Sequence, residues 1–414
     1  MKSMRILLPI SLALTALCGY SLGEDWPQWR GKHQNGVWIP SGEIAKKWPT
    51  SGPKVVWTQP IGAAYSGLAV AKGRVYTMDR LGNRERVICL DEKNGKVIWI
   101  RDYPAKYGKL TYSKGPRSTP TVAGNHVYTF GAVGHLVCLN AKNGEVVWKK
   151  DLVSSHKAKQ PEWGFAASPA IFGELVIVHA GLQPNGCFAA FDRKTGKEVW
   201  RSGSDPVGYC TPLFIQHQSG TAMVGWTPRN VLAISPQTGR ILWKIPYKVT
   251  LGVAIASPIF HRNTLLVCGY WEGSKAIQVG PHAKRAKLLW EENRFLRGLM
   301  SQPLYRGGYV YLLDKKHGLV CFELRTGKKK WSDKNRLTPR GRNPQVTLVW
   351  IGKTDRAMCL NSNGELVQIR LTPNKYDELA RAKIVDATWA HPAYVGTRMV
   401  VRDDKRIICL ELGR

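Results

Sequence analysis

Acidic side chains are scarce in this chain: 29 Asp and Glu stand against 61 Lys and Arg in 414 residues, a formal net charge of +32. A field of that sign attracts anionic polymers, acidic glycans or anionic membrane surfaces, and it weakens with salt. Long apolar runs are also missing. The one candidate extends from Ile6 to about Cys18, too short to span a bilayer, so no transmembrane segment is expected. No nucleophile elbow, HExxH, CxxC pair or glycine-rich phosphate loop occurs, which leaves hydrolase, zinc and nucleotide chemistry without support. Nucleic acid fits the charge but has no recognition motif here and conflicts with export.

Export is read from the first residues. Lys2 and Arg5 precede the apolar run, and Ser21-Leu22-Gly23 supplies small residues before Glu24-Asp25, so residues 1–23 are expected to be a signal peptide cut after Gly23. Leu17 stands where a small residue normally precedes a lipidated Cys, which argues against lipidation at Cys18. With Lys2 and Arg5 set aside, 59 basic residues against 29 acidic ones leave +30. The expected localisation is the periplasm, cell envelope or extracellular space, as a soluble monomer.

Eight cysteines follow the signal, an even count that in an exported protein points to disulfides. Their placement points elsewhere. Cys89, Cys138, Cys321, Cys359 and Cys409 are each followed by Leu or Phe at a similar place in a repeat, as small buried apolar residues would be. Cys187 with Cys210 is the one pair that merits testing as a bridge.

The repeat is the strongest signal. Val87–Trp99 reads Val-Ile-Cys-Leu-Asp-Glu-Lys-Asn-Gly-Lys-Val-Ile-Trp, returns at Leu136–Trp148, and has relatives ending at Trp200, Trp243 and Trp331. Two β-rich runs flank a turn in which Gly95, Gly144, Gly196, Gly239 and Gly327 are expected at positive φ. Asp91 and Asp192 read as turn residues. Trp57, Trp99, Trp148, Trp200, Trp243, Trp290 and Trp331 recur at intervals of 42, 49, 52, 43, 47 and 41 residues, the period of a four-stranded propeller blade. A large residue at one strand position fills space between neighbouring sheets, so these Trp are assigned to structure.

Eight small-polar or Pro signals open innermost strands, among them Ser66-Gly67, Ser118-Thr119-Pro120, Thr211-Pro212 and His391-Pro392. The expected fold is therefore all-β: an eight-bladed β-propeller of four-stranded antiparallel blades over residues 54–414. The last repeat stops after its third strand and Lys54–Trp57 is a fourth strand with no repeat before it, so the N-terminal strand is expected to close the ring. Residues 24–53, with Trp26, Trp29 and Trp38, are expected to pack outside it. Blade seven departs from the pattern: Asn363-Gly364 follows Cys359 one residue early, and Ile384 stands where Trp is expected.

At these hairpins the chain resembles the pyrroloquinoline-quinone (PQQ)-like propeller repeat family, over roughly residues 54–412. That family includes quinoprotein dehydrogenases and the non-enzymatic envelope lipoprotein BamB. The resemblance implies the fold and carries function only weakly, because the recurring residues are those that build blades. Quinoprotein dehydrogenases of the family commonly carry an adjacent Cys-Cys pair over the cofactor and carboxylates that bind calcium. No cysteines are adjacent here and no acidic set matches. No cofactor is therefore expected, with PQQ as the alternative.

Propeller loops that enter the innermost strands converge on the central channel, where a site is expected. Here those loops hold Tyr65, Arg117, Trp163, Phe165, Tyr209, Arg297, Arg340, Arg342, Trp389 and His391. Arginines among aromatic rings suit an anionic or sugar ligand. The same residues also suit simple loop packing around a solvated channel. His391 would serve as a general base only with a carboxylate or substrate in reach. The expected function is a non-enzymatic binding or scaffold propeller that engages a protein partner or an anionic polysaccharide or envelope surface. The alternatives are a quinoprotein oxidoreductase and a polysaccharide-active enzyme using Tyr, His and Arg.

Overall fold

The computed structural model describes residues 23–49, 51–298 and 300–414. Apart from Gly23, the expected signal peptide lies outside these residues. Eight sheets of four strands cover residues 69–104, 121–151, 170–202, 213–246, 259–292, 304–332, 346–383 and 393–411, the last completed by Lys54–Pro60. Lys54–Pro60 pairs antiparallel with Arg406–Glu411 and places Trp57 opposite Cys409, so the N-terminal strand closes the ring as expected. Each small-polar or Pro signal stands just before an inner strand, as Pro120 does before Thr121–Ala123.

The recurring Trp and Gly residues turn out to be partners across blades. Each Trp sits opposite a small third-strand residue, Cys89 for Trp99 and Cys138 for Trp148, where a β-bulge turns the outer strand. Its indole then reaches the next blade's hairpin. Trp99 Nε1–H donates to Ala141 O at 3.1 Å, Trp148 to Arg193 O at 3.0 Å and Trp200 to Pro236 O at 3.0 Å. The hairpin glycine lies flat on that ring. A Cβ on Gly144 would stand 2.6 Å from Trp99, and Gly144 itself has φ +72°, so two independent constraints demand glycine there. Asp91 and Asp192 accept from backbone N–H groups of their own turns, as expected of turn residues.

Blade seven corrects the repeat alignment. Cys359 lies in the second strand, Arg356–Asn361, so Asn363-Gly364 joins strands two and three and is not the hairpin between strands three and four. That hairpin is Thr372–Lys375, whose Thr372 O receives the Trp331 indole N–H at 3.0 Å. The Trp position is filled by Ala380, opposite Gln368, rather than by Ile384. The N-terminal segment packs beside this blade: Ile44 is buried with residues of blades seven and eight, and Gln368 Nε2 donates to Ala45 O at 2.8 Å.

That segment is also not outside the ring. Trp26 forms a two-way bridge with Val70 of blade one, and Val122 N–H of blade two donates to Pro27 O. Trp29 Nε1–H donates to Ser257 Oγ of blade five at 2.9 Å, and Arg30 donates to Pro303 O at the start of blade six at 3.0 Å. Val37–Trp38 then runs parallel to Val346–Ile351 as a fifth strand on blade seven. Residues 26–38 thus cross the channel as a strap.

No disulfide forms between Cys187 and Cys210. All eight cysteines are free and buried, and the His179 ring lies between this pair, with Nε2 3.4 Å from Cys187 Sγ and Nδ1 3.2 Å from Cys210 O. No helix among the described residues is long and apolar enough to cross a membrane.

Candidate functional site

The loops that lead from each outer strand to the next blade gather at one end of the ring, joined by the turns Tyr270–Glu272 and Lys315–His317 between second and third strands. Together they enclose a cavity of about 1000 Å³. Its wall holds Trp29, Trp163, Trp271 and Trp389, four tyrosines, and the cations Arg117, Lys315, Lys316, Arg340 and Arg342, with no Asp, Glu or Cys.

Tyr65, Arg117, Trp163, Tyr209, Trp389 and His391 line this cavity, as do Arg340 and Arg342. Phe165 does not. Gly164, at φ +73°, reverses the chain between Trp163 and Phe165, so Trp163 faces the cavity while Phe165 packs 4.9 Å from Phe130 in the core of blades two and three. Arg297 is also outside the lining; its guanidinium lies 3.9 Å from the buried Asp314, which also accepts its backbone N–H. Residues missed at the sequence level are Trp29, Tyr112, Tyr270, Trp271, Lys315 and Lys316. The turns between second and third strands share an end with the inter-blade loops; they hold four of these six, and Tyr112 stands in an inter-blade loop, so counting every residue of both sets would have found five.

The aromatic rings form platforms with a cation beside them. Trp389 lies 5.6 Å from both Tyr65 and Tyr112, and Trp163 lies 5.5 Å from Tyr209. Lys315 Nζ stands 4.1 Å over Tyr270 and 5.0 Å from Trp271, an attraction worth ~0.5–2 kcal/mol. Arg117 packs over Tyr65 and Tyr107, but its N–H groups are committed to the carbonyls of Gly115, Thr111 and Tyr112. It builds the 111–117 loop and gives its charge, rather than its hydrogen bonds, to the cavity. Arg340 and Arg342 are exposed at the rim and make no ion pair among the described residues.

His391 and two of the tyrosines are tuned away from proton transfer. Burial, reinforced by the nearby Arg30, pushes His391 down to about 3, and no carboxylate among the described residues pairs with it. Burial pushes Tyr209 up to about 12 and raises Tyr65 as well. Neither His391 as a base nor these two phenols as phenolates is prepared here, while the other histidine of the wall, His317, has its Nδ1 2.6 Å from the buried Asp314 Oδ1.

A family profile described as outer membrane protein assembly factor BamB matches residues 40–101, 104–333 and 279–375. The chain belongs to this family of PQQ-like propellers. Among solved structures, BamB from Moraxella catarrhalis shares 16% identity at a TM-score of 0.58, over 87% of this chain and 99% of that one. Quinohemoprotein alcohol dehydrogenase from Comamonas testosteroni shares 13% at 0.69, over 94% and 81%. A europium-containing methanol dehydrogenase shares 11% at 0.67, over 94% and 89%. At such identities these likenesses establish the fold alone. No curated protein sequence matches the chain. The solved neighbours thus include BamB as well as dehydrogenases, and they do not choose between the two for this chain. The cavity wall has neither a carboxylate to hold a metal ion nor a cysteine pair to cover a quinone, and no group of three His, Cys, Asp or Glu is suited to a metal among the described residues. The residues do not fit the metal–quinone pair that the dehydrogenase branch of the resemblance implies.

Proposed function

We propose that this chain is a non-catalytic binding propeller of the cell envelope whose central cavity holds an acidic glycan. The observation that carries this reading is the composition of one wall: eight Trp and Tyr rings and five Lys and Arg side chains without a single carboxylate. Flat rings stack on the apolar faces of sugars, and the neighbouring cations pair with their carboxylates or sulfates. The family description, an outer membrane assembly factor, supports the envelope setting and a scaffold role.

A panel of carboxylated, sulfated and neutral oligosaccharides, followed by tryptophan fluorescence, tests the reading. Acidic members are expected to change the emission, to lose affinity as salt rises, and to bind about tenfold more weakly to the Arg340→Ala/Arg342→Ala double variant, from ~1 kcal/mol or less per exposed charge. Equal binding of neutral and acidic members, capture of only a protein partner, glycan cleavage, or dye reduction on adding PQQ and calcium would each overturn it.

A further inference from the structure

The cavity is blind. Its floor is the strap, in which Trp29 is pinned by its indole N–H to Ser257 Oγ and stacked on His391 at 4.2 Å. Beneath Trp29, among Trp26, Arg30, Leu68, Thr119 and His391, the remaining space is about 10 Å³, room for one water at most. A polymer entering at the Arg340 rim has nowhere to leave.

A second observation comes from below the floor. Arg30 is 7% exposed, donates only to the carbonyls of Gln34, Asn35 and Pro303, leaves one guanidinium nitrogen unpartnered, and has no carboxylate counter-ion among the described residues. A buried, uncompensated cation is costly, and an anion seated close by offsets that cost. Trp29 and His391 line both this small space and the cavity above, so they are what separates the charge from a bound ligand.

From these observations we infer that the site reads the end of an acidic glycan chain: the terminal acidic sugar stacks on Trp29, over Arg30, and the interior of the chain leaves past the rim arginines. This rests on the binding reading above and adds polarity to it. Trp29 is then the platform that receives the terminal sugar, on a floor that Trp26, Arg30, Leu68 and Thr119 keep closed beneath it.

The test uses oligogalacturonates and heparin fragments of about 4, 8 and 20 sugars, with stoichiometry read by titration calorimetry and sedimentation. End recognition predicts one protein per chain at every length, with affinity per chain nearly constant. Stoichiometry that rises with length overturns end recognition while leaving acidic-glycan binding intact. Failure of every fragment to bind overturns the underlying reading as well. Trp29→Ala provides a check on a folded variant, verified by its melting curve: removing one stacking platform is expected to weaken every length by the same factor, about tenfold, at unchanged stoichiometry. Unaltered affinity in that variant removes Trp29 from the site. Should the variant not fold, the stoichiometry of the unmodified protein still decides.

Discussion

The indole of Trp29 packs on the imidazole of His391 with ring centroids 4.2 Å apart, joining the start of the chain to its last blade across the channel floor. The contact leaves the imidazole only a partly exposed edge and no acidic neighbour, which is why it stays neutral.

This neutrality gives stability a pH dependence of definite sign. Burial depresses His391 to about 3 and His179 to about 4 in the folded protein, whereas both titrate near the ordinary histidine value once unfolded. Between those values the unfolded chain binds more protons, so stability is fully present above about pH 6.5 and falls as the pH drops toward 4. Each histidine contributes a slope of ~1.4 kcal/mol per pH unit in that window. Urea midpoints measured from pH 7 to pH 4.5 should decline, and His391→Gln should flatten the decline. A midpoint that holds steady across the window would contradict the burial of both rings.

The thiols supply a second prediction. Burial raises Cys187 well above its ordinary value and pushes Cys210 up to about 12. The folded chain of residues 24–414 should therefore be inert to a thiol reagent at pH 8, and all eight of its thiols should react in denaturant without reductant. A count of six would mean that one pair had oxidised, with Cys187–Cys210 the first to test.

Gly144 isolates the inter-blade contact. Alanine there meets both the positive φ and the Trp99 ring, 2.6 Å from its Cβ, and should cost at least about 2 kcal/mol. The same change at Gly73, whose φ is +71° but which has nothing within 4 Å, should cost about 1 kcal/mol. Equal losses at the two sites, measured by chemical denaturation, would show that the ring contact is not tight.

Blade number, ring closure and the inner-strand starts were legible because each rests on a local pattern repeated many times: a Gly turn, a Trp in the outer strand, a Pro before the inner strand. Blade seven was misaligned where that pattern lapses, since Asn363-Gly364 resembles the hairpin between third and fourth strands yet joins the second to the third. Most of the cavity-lining loops were legible from their place between repeats. Phe165 and Arg297 were not correctly placed, because one glycine's φ turns the first inward and one buried carboxylate holds the second.

The sequence by itself determined the propeller, since alternating apolar strands of one period cannot cover their faces except by stacking radially against copies of themselves. Only the tertiary structure decided what residues 24–53 do. They repeat nothing, and their contacts are isolated long-range ones, Trp26 to Val70, Trp29 to Ser257, Arg30 to Pro303 and Ile44 to Gly413. Periodicity carries no trace of such contacts, because each depends on where the closed ring places a carbonyl or a hydroxyl.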